Sequence, residues 1–274
     1  MPIDVASYLK FTPTDNTGSF AADAEGHVYY DDSQSALKHY DGSDWQKVNT
    51  NINYDRPGDG QYAVDIYTKL LLHCDGDGTD SSGNSHTATA YGNATTSTSI
   101  KKIGTHSFDC YNADQTGDYW SVGASSDFYF GTDPWTIDLW FYPRNTDSYQ
   151  IIFLLGTHDS AGEIVFRPTG GGGYNIELRD DANSFTGINA TPSGNIAVNA
   201  WSHAALVRNG TSLMLFHNGT LVDTADISTR NAGVSNVNIQ MGDRGYQSQA
   251  FHGLVDEVRV SKGIARWTSN FVVY

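Results

Sequence analysis

The chain has 274 residues, of which 39% are hydrophobic, 12% aromatic and 17% charged. This hydrophobic content excludes a disordered chain, and the length allows one large all-β domain or two smaller ones. A net charge of −15, from 31 acids against 16 bases, excludes nucleic-acid binding through a basic stripe. Glu25, Glu163, Glu177 and Glu257 are the only glutamates, so most of the acid is Asp, the turn former, and belongs to loops.

Residues 1–20 read as a polar arm or linker. MPIDVASYLK lacks the apolar stretch of a usual signal peptide, and no run approaches the ~18 apolar residues of a membrane span. The expectation is a soluble chain made in a cytoplasm, with no membrane insertion. Residues 26–48, GHVYYDDSQSALKHYDGSDWQKV, hold three short strands, with Asp41-Gly42 as one hairpin turn. So small a hairpin buries little surface alone, so it packs on the main domain or on copies of itself. The turn cluster Arg56–Gly60 marks a boundary, which divides the chain into an N-terminal arm and small β module (1–62) and a main domain (63–274).

From Val64 onward short strand patterns alternate with Gly/Asn/Asp/Ser clusters, and no helical period is sustained. Strands are expected near 69–74, 87–91, 106–111, 119–122, 135–142, 150–155, 164–168, 174–179, 185–189, 237–241 and 253–260. The clearest stretch is WSHAALVRNGTSLMLFHNGTLVD, residues 201–223. Asn209-Gly210 and Asn218-Gly219 predict two type I′ turns and a meander of strands at 202–208, 211–217 and 220–225. In its first strand Trp201, His203, Ala205 and Val207 share one face. The spacing predicts an all-β fold, a two-sheet antiparallel jelly-roll sandwich preceded by the small hairpin module. Ser261–Ser269 is the one stretch that looks like a helical turn. The four-glycine run 170–173 reads as a hairpin loop, because Tyr174–Arg179 alternates as a strand and offers no helix for a phosphate cradle.

Cys74 and Cys110 make neither a disulfide framework nor a zinc site. Buried thiols are expected, with a disulfide open if the two strands are neighbours. His203, His73 and His106 sit inside strand runs and read as sheet residues. Enzyme signatures are missing: there is no G-x-S-x-G, no H-E-x-x-H, and the strand WTIDLWF carries Asp138 but no glutamate. Glu163 and Glu177, distant in sequence, could still meet in space. Asp75, Asp77 and Asp80 lie in one Asp-rich turn, whose carboxylates and carbonyls suit Ca2+. That turn has His86 where an EF-hand has its final Glu. In 253–260, Glu257 and Arg259 share a face and are expected to pair with cross-strand neighbours.

Six segments, in order, resemble the laminin-G-like/concanavalin-A-like jelly-roll family in its bacteriophage virion form. They are LLLHCDGDGTDSSGNSHTATAYGNA (70–94), KKIGTHSFDCYN (101–112), GDYWSV (117–122), DFYFGTDPWTIDLWFYP (127–143), NAWSHAALVRNGTSLMLFHNGTLVD (199–223) and GLVDEVRVSKGIARWTSNF (253–271). The family usually has Phe where Cys74 and Cys110 stand, which marks both as core positions. Residues 25–48 resemble short modules of phage tail-fibre and other virion proteins. By this resemblance a structural Ca2+ would be held by Asp80 and Asp256, with Asp75 as a third ligand. Loop aromatics that suit glycan stacking are Tyr149, Tyr174, Tyr246 and Trp267.

The resemblance implies a non-enzymatic virion structural protein with a lectin-like domain, a tail fibre or capsid decoration adhering to host-surface glycan or protein. Its partners would be other virion proteins and copies of itself, with a trimer favoured. Alternatives are an architectural cement protein without a receptor, a glycan depolymerase and a secreted lectin. The sequons at Asn93, Asn189, Asn209 and Asn218 matter only to the last.

Overall fold

The computed structural model describes residues 28–31, 36–40, 45–47, 62, 64–110, 117–147, 150–232, 236–243 and 250–273. Two compact units make up the chain, Met1–Asn53 and Tyr54–Tyr274. In the first, β1 (Val28–Asp31), β2 (Ala36–Tyr40) and β3 (Trp45–Lys47) form an antiparallel sheet in that order. Tyr29 pairs with Lys38 and His39 with Gln46, the hairpins expected from the turn residues.

The second unit is a two-sheet sandwich. Its strands are β4 (Thr68–Leu72), β5 (Ala88–Tyr91), β6 (Thr95–Ser97), β7 (Ser107–Asp109), β8 (Tyr119–Ser125), β9 (Trp135–Pro143), β10 (Phe153–Leu155), β11 (Ile164–Pro168) and β12 (Tyr174–Arg179). There follow β13 (Phe185–Ala190), β14 (Ser202–Asn209), β15 (Ser212–His217), β16 (Thr220–Asp226), β17 (Val237–Met241) and β18 (Gly253–Lys262). One sheet runs β16-β15-β14-β9-β18-β7-β6, with β4 also paired to β18; the other runs β13-β12-β11-β10-β17-β8-β5. All named strand pairs are antiparallel.

Period-2 alternation decides what lies between the sheets. Ile137, Leu139, Phe141, Leu206, Leu215, Val255 and Val258 face inward from one sheet; Phe153, Phe166, Ile176, Leu178, Ile239 and Val122 face them from the other, all fully buried. Phe108 and Trp120 stack across the sandwich with centroids 3.8 Å apart. Cys74 and Cys110 are free, buried thiols in this core.

Two local expectations need correction. Asn209 pairs with Ser212, so the first meander turn is Gly210-Thr211, not Asn209-Gly210. Gly210 has φ +59° and Thr211 an ordinary negative φ, the type II′ pattern, which places glycine first. The second turn keeps Asn218 and Gly219 at its centre, both with positive φ, as type I′ requires. Ser261–Ser269 is no helical turn: β18 runs to Lys262 and the chain beyond is irregular. Among the described residues the helical turn is a 3₁₀ turn, Ser126–Phe128, capped by the Ser125 side chain.

Candidate functional site

The two outer faces of the sandwich differ in what covers them. On the eight-stranded sheet, Ala205, Val207, Met214 and Phe216 lie under Ala265, Trp267 and Phe271 of the C-terminal segment. Beside them Leu71, Trp140 and Ile103 pack with Tyr62, Trp201 and Val273. His203 sits 1% exposed in a box of rings, with centroids 6.4, 5.3, 5.9 and 5.8 Å from Tyr62, Trp140, Trp267 and Phe271. A buried ionic network runs under this cover. Arg259 donates to both oxygens of Asp138 at 3.1 and 3.0 Å, and His73 Nδ1 lies 2.8 Å from Glu257 Oε1. Tyr62 N–H donates to Glu257 Oε2 at 3.0 Å. The cross-strand pairing expected of Arg259 is therefore present, whereas Glu257 lies in a bulge of β18 at φ +47° and pairs instead with His73 and Tyr62, both outside the strands. The centre of this face is covered, while its edge strands β16 and β6 stay largely exposed.

The outer side of the seven-stranded sheet carries a small buried apolar cluster of Ile151, Leu154 and Val165, flanked by polar side chains. Asn175, Glu177 and Arg179 alternate along β12, and Asn238 and Gln240 along β17, all only partly buried. At the far side of the sheet Tyr91 is 46% exposed and stacks on Tyr119 at 4.8 Å, with ring planes 7° apart. A cavity of about 490 Å³ opens on this face, lined by Leu154, Gly156, Thr157, His158, Asp159, Asn238 and Gln240. In its floor Leu154 of β10 lies opposite Gln240 of β17. The β10–β11 loop then turns back through Gly156 and Gly162, both at positive φ, and carries His158 and Asp159 over the sheet.

Glu163 and Glu177 do meet. With His158 they place one potential ligand atom each within 4.8 Å of the others. Glu177 is ion-paired to Arg167 at 2.8 Å. Glu163 accepts from the Asp159 N–H at 2.9 Å and from Arg179 at 3.0 Å, both on Oε2. Burial pushes the Glu163 carboxyl up to about 7; the Asp159 N–H and Arg179 oppose that shift, and the Glu177 charge adds to it. Its Oε1 is buried with no hydrogen-bond partner.

A second pocket, about 400 Å³, lies at the rim between residues 191–195 and the β15–β16 hairpin. His217 lines it; its Nε2 faces the Asn218 side-chain NH2 at 3.1 Å and so holds the lone pair, and its Nδ1–H donates to the Tyr174 hydroxyl at 2.7 Å.

Of the residues expected to stack on glycan, Tyr174 is corrected. It is fully buried, because it shares the inward face of β12 with Ile176 and Leu178. Trp267 has one face taken by Phe271, with centroids 4.0 Å apart. Tyr149 and Tyr246 lie outside the described residues. The expected calcium ligands do not converge as a trio. Asp75 accepts from the N–H groups of Thr105 and His106, and Asp256 from those of Lys102 and Ile103, so the two hold opposite ends of one loop. Asp80 accepts from the N–H groups of Leu71, Ser82 and His86 and closes its own turn.

Residues 114–266, more than half of the chain, match the family model of the concanavalin A-like lectin/glucanases superfamily. The chain belongs to that superfamily. Among solved structures it is similar to domain 4 of a GH43 extracellular arabinanase from Geobacillus stearothermophilus, in complex with arabinotriose. There identity is 18%, coverage is 72% of this chain and 93% of that one, and the TM-score is 0.57. It is also similar to the receptor binding domain of botulinum neurotoxin D, with 14% identity, 73% and 50% coverage and a TM-score of 0.55. The binding domain of Paraclostridial Mosquitocidal Protein 1 matches with 16% identity, 73% and 50% coverage and a TM-score of 0.55. The chain thus spans about half the length of the two toxin domains. Comparison with curated proteins finds no match.

A superfamily named for lectins and glucanases makes the Glu163–Glu177 pair a question of chemistry. A retaining glycosidase holds its carboxyl groups ~5–5.5 Å apart and open to the sugar. Here Glu163 is fully buried and absent from the cavity lining, with Arg179 paired to it and Arg167 paired to Glu177. Both carboxylates are engaged in ion pairs with these arginines. Sequence reading missed His158, Asp159, Arg167, Tyr91, Tyr119, Asn238 and Gln240. The alternation of polar side chains along residues 174–179 and 237–241 is the signal that could have found part of this set.

Proposed function

We propose that this protein is a non-enzymatic adhesion protein of a bacteriophage particle, whose jelly roll binds saccharide on the outer face of the seven-stranded sheet. The observation that carries the reading is the contrast between the two faces: one is covered at its centre by the C-terminal segment, the other carries the cavity and the exposed Tyr91–Tyr119 stack. Amides and hydroxyls at Asn238, Gln240 and Thr157 offer directed hydrogen bonds to sugar hydroxyls. The tyrosine rings offer an apolar platform. The arabinanase domain in complex with arabinotriose supports saccharide as the ligand class. The burial of Glu163 supports the non-enzymatic reading. The N-terminal segment's likeness to phage tail-fibre modules supports attachment to a virion, with other virion proteins and copies of the chain as partners.

A glycan-array screen of the full chain tests the reading, with Tyr91→Ala and Asn238→Ala as controls. Saturable binding to a glycan class, weakened in Asn238→Ala, supports it, and weakening in Tyr91→Ala as well extends the site to the tyrosine stack. No glycan bound, together with immunogold labelling that places the protein inside a continuous shell, would replace adhesion with the architectural role.

A further inference from the structure

We propose that His158, Glu163 and Glu177 form a binding site for a divalent first-row transition ion of the Zn2+ type at the edge of the cavity. This goes beyond the adhesion reading and does not depend on it. The three residues come from adjoining elements: Glu163 immediately precedes β11, Glu177 lies on β12, and His158 is on the loop between β10 and β11. Val165 is directly opposite Glu177, so the register of β11 and β12 sets the spacing of the two carboxylates. One potential ligand atom from each residue lies within 4.8 Å of the others, and His158 Nε2 is 3.6 Å from Glu163 Oε1.

Two independent features point to a ligand. Glu163 is fully buried, and its Oε1 has no hydrogen-bond partner although Oε2 has two. A buried carboxylate oxygen without a donor is an exception that calls for an explanation, and a bound cation supplies one. His158 is also preset as a ligand. Its Nε2 touches an Arg167 Nη2, which can only donate, so Nε2 holds the lone pair and Nδ1 the proton. That proton points to Asp159 Oδ2, 2.8 Å from Nδ1. A carboxylate behind the far ring nitrogen is the usual support of a metal-binding histidine.

The mixed donor set selects the ion. Imidazole nitrogen suits zinc and its neighbours, while calcium and magnesium take oxygen. Arg167 occupies the position of the positive charge, with Nη1 donating to Glu177 Oε1 at 2.8 Å. It is an imperfect occupant, because its Nε is buried without a partner. An entering dication therefore exchanges with the Arg167 guanidinium, approaching from the cavity that His158 and Asp159 line.

The experiment is calorimetric titration of the full chain, stripped with chelator, with ZnCl2, followed by Co2+ absorption to read nitrogen and oxygen coordination. One equivalent should bind. Affinity should fall about tenfold or more in His158→Ala and Glu177→Gln, and about 10–100-fold in Asp159→Asn. Arg167→Gln should bind more tightly than the native chain, because the competing cation is gone. Glu163→Gln is isosteric but buried. If it fails to fold by circular dichroism, the partly exposed His158 and Glu177 decide the matter. No saturable uptake, native-like uptake in His158→Ala and Glu177→Gln, or no gain in Arg167→Gln would each overturn the site. The readout is metal alone, so failure of glycan binding leaves it intact, and its failure leaves the adhesion reading intact.

Discussion

Arg259 of β18 lies directly opposite Asp138 of β9, and the two side chains form a two-pronged pair that is 1% and 0% exposed. Burial by itself would raise the Asp138 carboxyl; the Arg259 charge and then His203 overcome that and hold it down to about 2. Removing one partner of a buried pair leaves the other charge stranded. Asp138→Asn should therefore lose roughly 3–5 kcal/mol of stability in urea unfolding at pH 7. The acid limb follows from the same shift. A carboxyl with a lowered folded pKa contributes stability that is full above its ordinary 3.8 and is lost as pH falls from there through about 2. The native chain should lose its advantage over Asp138→Asn across that window. A variant as stable as the native chain at pH 7 would show that the pair is energetically neutral.

His217 titrates with the opposite consequence. Burial pushes it down to about 4 from an ordinary 6.5, and His203 adds to the shift. Below 6.5 the unfolded chain takes a proton that the folded chain refuses, so stability falls as pH drops from 6.5 to about 4. The loss should total roughly 3 kcal/mol, at ~1.4 kcal/mol per pKa unit. His217→Gln should flatten that part of the stability–pH curve. A ring proton of His217 that titrates near 6.5 by NMR would refute the account.

The strands were legible in the sequence because alternation and turn residues agreed. Residues 164–168, 174–179 and 237–241 form strands with the bounds the pattern gave. The II′ turn at Gly210 was not legible, since Asn-Gly fits two registers and only the pairing of Asn209 with Ser212 chooses between them. Tyr174 was misread although the pattern held the answer: a tyrosine in phase with Ile176 and Leu178 points inward. The Glu163–Glu177 contact was open to sequence only as a possibility. It depends on the β11–β12 register and on a loop folded back at Gly156 and Gly162, and neither has a local signature. The Tyr91–Tyr119 stack was hidden for the same reason, since β5 and β8 are joined only through the sheet.

The C-terminal segment is held over the meander by a close backbone approach at Gly219. The Phe271 N–H donates to the Gly219 carbonyl at 2.8 Å, and a Cβ on Gly219 would lie 2.0 Å from the Phe271 carbonyl oxygen. Gly219 also has φ +76°, which its type I′ turn requires. Gly219→Ala should therefore lift residues 265–273 off the sheet. The expected outcome is a loss of about 1–3 kcal/mol, a red-shifted tryptophan emission as Trp267 and Trp201 gain solvent, and new proteolytic cleavage near the C-terminus. Native-like cleavage in the variant would mean that the segment is held elsewhere.

Cys74 and Cys110 should be chemically silent in the folded chain. Burial raises both thiols, Cys74 further through the charges of Asp256 and Glu257. A thiol-reactive chromophore should label neither in buffer and both in denaturant, and rapid labelling of either in the native protein would contradict their place in the core.

Glycan affinity should depend on two separated parts of one sheet face. Tyr91 is exposed on β5, while Asn238 and Gln240 line the cavity beside β10. Because these side chains support no core packing, Tyr91→Ala and Gln240→Ala should change stability by less than about 0.5 kcal/mol. Each should still weaken binding to a glycan identified on the array by about tenfold, equivalent to ~1.4 kcal/mol. The pair also measures ligand length. A saccharide that spans both positions should lose affinity in both variants, whereas one confined to the cavity should respond to Gln240→Ala alone. Binding that survives both substitutions would move the site to the rim pocket beside His217, where Asn195→Ala and Asn218→Ala become the informative variants.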